Sequence, residues 1–155
     1  MACLPVRIAL SYNVSLDFLK HMLFSTGSHS VFNLKVHLIF VVAYRRQAIS
    51  ARILKRLIEI FTEVCLCDRA QLRECSGERD HVHLLISYPA TVCLSNLIRK
   101  LKSTSSLVIR QEFHQEIRHM LWGERFWTKI YCAISVGDGA TTAIIEQYIK
   151  NQRPN

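Results

Sequence analysis

The residues best suited to chemistry are His81-Val82-His83 and, far along the chain, Tyr148 with Gln152. Positions two apart on a strand face the same side, so His81 and His83 would present two imidazoles together, with Val82, Leu84 and Ile86 on the opposite side. Two imidazoles at that spacing can hold one divalent metal, although two polar residues on an exposed sheet face would read the same way. Asp80 is expected to point away from them on a regular strand and is not taken as a ligand. Tyr148 and Gln152 are four apart on an expected helix and so share a face. Two imidazoles plus one amide oxygen would leave metal positions open for a phosphate. A phenol with an ordinary pKa near ~10 needs such help to act as a nucleophile. Attack by Tyr148 on a phosphodiester would leave a phosphotyrosine and a free 3′-OH, so the cut strand could be rejoined elsewhere.

The elements that must position these groups follow from apolar patterning. Leu34–Ala43 is β-branched and apolar, as a central strand should be. Ser50 caps an expected helix from Ala51 to about Leu66, with Ile53, Leu57, Ile58 and Phe61 at helical spacing. Gln71–Cys75 reads as a strand, 76–79 as a turn, and Asp80–Tyr88 as a second strong strand stopped by Pro89. A helix over Leu94 to about Phe113, a mixed segment with Trp122, Phe126 and Trp127, and a strand over Lys129–Val136 follow. Thr141 or Thr142 opens a final helix to about Gln152, and Ser15–Phe24 could form a short amphipathic helix. This order predicts an α+β, ferredoxin-like (RRM-like) antiparallel sheet with helices on one face and an added C-terminal helix. Many unrelated functions share that fold.

The chain has 155 residues and a net charge of +8, from 20 Lys+Arg against 12 Asp+Glu, with half its residues hydrophobic. That excludes a disordered tail, and no apolar run reaches the ~18–20 residues of a membrane span. Such a charge excess points to a polyanion partner, usually nucleic acid. The excess is local: Lys35, Arg45 and Arg46 fall in an acid-free stretch from Asn33, and Arg99, Lys100, Lys102 and Arg110 in another. On charge alone, Arg99, Lys100 and Lys102 are phosphate-contact candidates. The six cysteines form no C-x-x-C pair, which excludes zinc-ribbon and thioredoxin signatures. They read mostly as small core residues, reduced, in a cytoplasmic protein.

Four segments together resemble the single-tyrosine HUH transposases of the insertion-sequence 200/605 type. They are Asp80-His-Val-His-Leu-Leu, Val-Ala-Tyr-Arg-Arg ending at Arg46, Leu121-Trp-Gly123 and Tyr148-Ile-Lys-Asn-Gln152. The resemblance covers about 28–152. It implies a metal-dependent transposase that cleaves and rejoins single-stranded DNA ends bearing subterminal hairpins. His81, His83 and Gln152 would bind Mg²⁺ or Mn²⁺, and Tyr148 would form a 5′-phosphotyrosine link. A homodimer is implied, with the tyrosine helix in cis or docked on the partner. Tyr44, Arg45 and Arg46 match the family's basic segment and are assigned to DNA contact. Residues 1–27 are expected to be an extension, or translation is expected to begin within them at Met22, with 28–155 as the single transposase domain. Two other readings remain: a domesticated relative processing genomic palindromes, and a non-catalytic nucleic-acid-binding module on the same fold. The second is disfavoured by the missing aromatic RNP signature.

Overall fold

The computed structural model describes residues 25–26, 31–32 and 34–136. The chain divides into two units at Asn33/Leu34. In the first unit, β1 (Ser25–Thr26) and β2 (Val31–Phe32) form a short antiparallel ladder. The expected helices at 15–24 and 141–152 lie outside the described residues, and so does nearly all of the expected extension over 1–27.

The second unit runs β3 (Lys35–Val42), a 3-10 turn (Ala43–Arg45), α1 (Ala51–Cys67), β4 (Gln71–Gly77), β5 (His81–Ser87), α2 (Leu94–Glu112), the single-turn α3 (His114–Ile117) and β6 (Trp127–Ser135). The four long strands form one sheet in the order β4-β5-β3-β6, all pairs antiparallel. This is the expected ferredoxin-like arrangement, an α+β fold with the two most apolar strands at its centre.

Alternation sorts the sheet into two faces. Val36, Leu38, Phe40 and Val42 of β3, with Val82, Leu84 and Ile86 of β5, meet Ile53, Leu57, Phe61, Leu97, Leu101 and Ile109 of α1 and α2 in the main core. Each fully buried side chain of this size contributes about 1.5–3 kcal/mol. Trp127 closes the core near the β6 end, stacked among Phe40, Phe61 and Phe126. Its indole N–H donates to the buried Ser105 hydroxyl at 2.8 Å, which explains a serine inside the apolar face of α2. Among the described residues, the other face carries a small cluster of Ile39, Val41 and Cys132 with Ile134 beside it.

Helix α1 begins where Ser50 accepts a hydrogen bond from Ile53 N–H, a cap worth about 1 kcal/mol. It ends in a Schellman closure, Ala70 N–H to Cys65 C=O and Arg69 N–H to Leu66 C=O, with Arg69 left-handed at φ 58°. Two departures from the expected elements are informative. The β4 ladder continues through Ser76 and Gly77, because both still pair with β5, so the turn is only 78–80. And β6 starts at Trp127, where it pairs with Val42 across a register shift.

Cysteine placement is more varied than the expected core role. Cys65 and Cys132 are buried, whereas Cys67 and Cys93 are exposed, and all five described thiols are free. Burial pushes the Cys65 thiol up to about 12 and the Cys75 thiol up to about 11. Among the described residues, no helix is long and apolar enough to cross a membrane.

Candidate active site at the histidine pair of β5

His81 and His83 lie on the face of β5 turned away from α1 and α2, their ring centroids 5.0 Å apart. In the β3–β5 ladder His81 stands opposite Val41 and His83 opposite Ile39. His37, opposite Leu85, brings a third imidazole with its centroid 5.3 Å from that of His83. His81 is only 5 % exposed. Burial, then the neighbouring His81 and His37, hold the His83 imidazole down to about 4, against a weaker opposing pull from Glu78. A neutral imidazole is the form that binds a metal.

Asp80 sits one residue before β5, where strand alternation does not yet apply, and its carboxylate turns back onto the site. This corrects the expectation that it points away. One oxygen lies 2.6 Å from His81 Nδ1, and the other accepts from Arg45 Nε and a terminal guanidinium nitrogen, both at 3.0 Å. Burial alone would raise the Asp80 pKa, but the hydrogen bonds to His81 and Arg45 outweigh it and the net shift is downward. A carboxylate beside Nδ1 favours the tautomer with its proton there and the Nε2 lone pair available. This is the usual support of a metal-binding histidine. Glu78, Asp80 and His81 also place potential ligand atoms within 4.8 Å of one another. The imidazoles of His81 and His83, with Glu78 nearby and Asp80 bonded behind His81, are donors that fit a divalent cation.

The 3-10 turn after β3 is pinned on both sides. Val42 N–H donates to Asp80 C=O and Ala43 N–H to Phe126 C=O, both at 2.8 Å, and Ile49 N–H donates to Arg79 C=O. Tyr44 and Arg45 are both left-handed, at φ 57° and 52°. A left-handed conformation costs a non-glycine residue about 1–3 kcal/mol and tends to mark functional sites. This geometry turns Arg45 inward onto Asp80 and leaves Tyr44 80 % exposed. Arg46 is exposed, with its guanidinium 5.5 Å from the centre of the Trp122 ring.

The second basic run has largely structural partners. Lys100 bonds Asp68 at 2.6 Å, and Arg99 makes a long contact to Asn96 at 3.4 Å. The Lys102 ammonium is turned to the carbonyls of Thr128 and Lys129, at 2.7 and 3.0 Å, beside the rings of Tyr131 and Phe40. Burial lowers its pKa. Arg110 donates to the carbonyls of Gly123 and Arg125. Arg99 and Lys102 also line a cleft of about 410 Å³ between α2 and the start of β6, with Arg125, Lys129 and Tyr131.

Thus the structure brings together His81, His83 and Arg45, places Tyr44 and Arg46 on the adjoining turn, and sets Arg99, Lys100 and Lys102 along α2. Tyr148 and Gln152 lie outside the described residues. Sequence reasoning missed Asp80 as the support of His81, and it missed His37; it named Trp122 without placing it at the site. The alternation Val36-His37-Leu38 already put His37 on the face of the histidine pair; the role of Asp80 had no periodic signal.

A ferredoxin-like sheet with a histidine pair on the face turned away from α1 and α2 is a framework for metal-assisted chemistry on a bound substrate. Residues 30–152 match the family model described as "Transposase IS200 like", and the chain belongs to that family. It is 30 % identical over 125 residues to the transposase for insertion sequence element IS200 of Salmonella typhimurium, covering 81 % of this chain and 80 % of the relative. It is 29 % identical over 128 residues to the ISDra2 transposase TnpA of Deinococcus radiodurans, covering 81 % and 89 %. The crystal structure of a Deinococcus radiodurans R1 protein described as a transposase superposes with a TM-score of 0.75 at 27 % identity, covering 84 % of this chain and 99 % of that one.

Proposed function

We propose that this chain is a metal-dependent single-stranded DNA transposase that cuts and rejoins transposon ends through a 5′-phosphotyrosine at Tyr148. The observation that carries the reading is the His81–His83 pair on the sheet face turned away from α1 and α2, with Asp80 bonded to the His81 ring. His81, His83 and Gln152 would hold Mg²⁺ or Mn²⁺, which would polarise the scissile phosphate and offset the charge that builds on it.

The chain's own groups have distinct tasks. Asp80 keeps the proton of His81 on Nδ1, and Arg45 keeps Asp80 ionised and in place. The Tyr148 oxygen forms a bond to phosphorus and gives up its proton, while the bond to the 3′ oxygen breaks and that oxygen leaves as a free 3′-OH. Rejoining reverses the exchange with another 3′-OH, so no external energy source is needed. Tyr44 and Arg46 would contact the strand. The substrate would carry subterminal hairpins, the enzyme would act as a homodimer in the cytoplasm, and residues 28–155 would form the transposase domain. After the geometry of α2, Arg99 is a better phosphate candidate than Lys100 or Lys102, whose ammonium groups have close intrachain partners.

The test is adduct formation on a single-stranded end substrate with Mg²⁺ or Mn²⁺. Tyr148→Phe should abolish the covalent protein–DNA species, and His81→Ala or His83→Ala should abolish cleavage while sparing hairpin binding. An adduct that persists in Tyr148→Phe would place the nucleophile elsewhere.

A further inference from the structure

Two aromatic rings beside the site have no role in the chemistry above. Tyr44 and Trp122 are 80 % and 81 % exposed, far more than aromatic side chains usually are. The Tyr44 backbone is held in the left-handed region by the pinned turn. The Trp122 indole N–H donates to His119 C=O at 3.1 Å, so its one polar group is satisfied inward while the ring stands in solvent. Arg46, two residues after Tyr44, lies against the Trp122 ring, and Arg45, one residue after it, is bonded to the carboxylate that supports His81. The result is exposed aromatic surface with a guanidinium against one ring, on the turn that adjoins the histidine pair.

We propose that Tyr44 and Trp122 are stacking faces for unpaired bases of the strand whose phosphate enters the histidine site, with Arg46 between them meeting the backbone. The proposal rests on the single-stranded DNA reading and adds how the strand is held. Exposed rings paired with arginine suit single strands because every base has a π-face while a duplex hides it. A backbone held in place before binding lowers the ordering cost when a base arrives. The left-handed conformation at Tyr44 accompanies a ring that stands in solvent.

Trp127 is buried in the core, so Trp122 supplies the solvent-exposed part of the tryptophan emission. Full-length protein is titrated with oligothymidylate and with an oligomer of equal length made of abasic sites. Stacking predicts quenching by the thymidylate but not by the abasic strand, and loss of the quench in Trp122→Phe. Tyr44→Ala should weaken thymidylate binding about 5- to 100-fold, with Tyr44→Phe restoring most of it. Equal affinity for both oligomers, or unchanged affinity in Tyr44→Ala, overturns the proposal even if the Tyr148 adduct still forms. A wild-type protein that neither binds the strand nor forms the adduct overturns the transposase reading along with it. A Trp122 emission that depends on protein concentration without DNA would show the ring covered by a second copy and would also overturn it.

Discussion

Asp80 divides its two oxygens between His81 and Arg45, and so couples the basic turn after β3 to the histidine pair on β5. Removing a carboxylate behind a metal-binding histidine typically costs 10–100-fold in affinity. Asp80→Ala should therefore weaken Mn²⁺ binding by about that factor in calorimetric titration, while His81 and His83 remain. His83 gives a separate signature. In the unfolded chain it takes up a proton near 6.5, and in the folded protein only near 4. Between those values the unfolded state binds more protons, so stability rises with pH across the window. In metal-chelated protein, the melting temperature should fall as pH drops from 7 to 4.5, and His83→Asn should flatten that slope. A slope unchanged by the substitution would assign the acid sensitivity to other groups.

At the level of elements, the β4–β5 hairpin is the part that aims the histidines, and Gly77 is its tightest point. A Cβ there would meet His81 C=O and Val82 Cγ1 at 2.9 Å and Leu54 Cδ1 at 3.2 Å. The carbonyl belongs to the backbone and cannot rotate away. Gly77→Ala should thus destabilise the protein by about 1–3 kcal/mol, read by denaturant unfolding, and should weaken metal binding because His81 must move. The strands and helices themselves were legible because burial repeats along them: Val36, Leu38, Phe40 and Val42 alternate inward, and Ile53, Leu57 and Phe61 follow the turn of α1. Asp80 was not legible, because it stands before the first paired residue of β5, where the chain path rather than the pleat sets direction. The end of β4 was misjudged for a related reason. Ser76 and Gly77 are turn-forming residues that stay in the ladder only because β5 pairs with them.

Over the whole chain, the net charge of +8 pointed to a polyanion partner, usually nucleic acid, which agrees with the transposase family, while charge runs say little about which cations are free of intrachain partners. Sequence shows where cations lie along the chain and not where their ends reach. Lys102 reaches carbonyls 26 and 27 residues away, Lys100 reaches Asp68, and Arg56 ties α1 to α2 through Glu112. The paired histidines were legible because their spacing alone fixes a shared face, whereas the company they keep depends on tertiary closure. The left-handed pair at Tyr44 and Arg45 has a consequence for how such a protein can change. A domain's total stability is only about 5–15 kcal/mol, and this turn forgoes a noticeable share of it. Selection for heat resistance alone would favour glycine or asparagine at both positions and would erase an aromatic ring and a guanidinium in doing so. Sequences drifting free of DNA processing should relax first at these two residues, before any loss in the core.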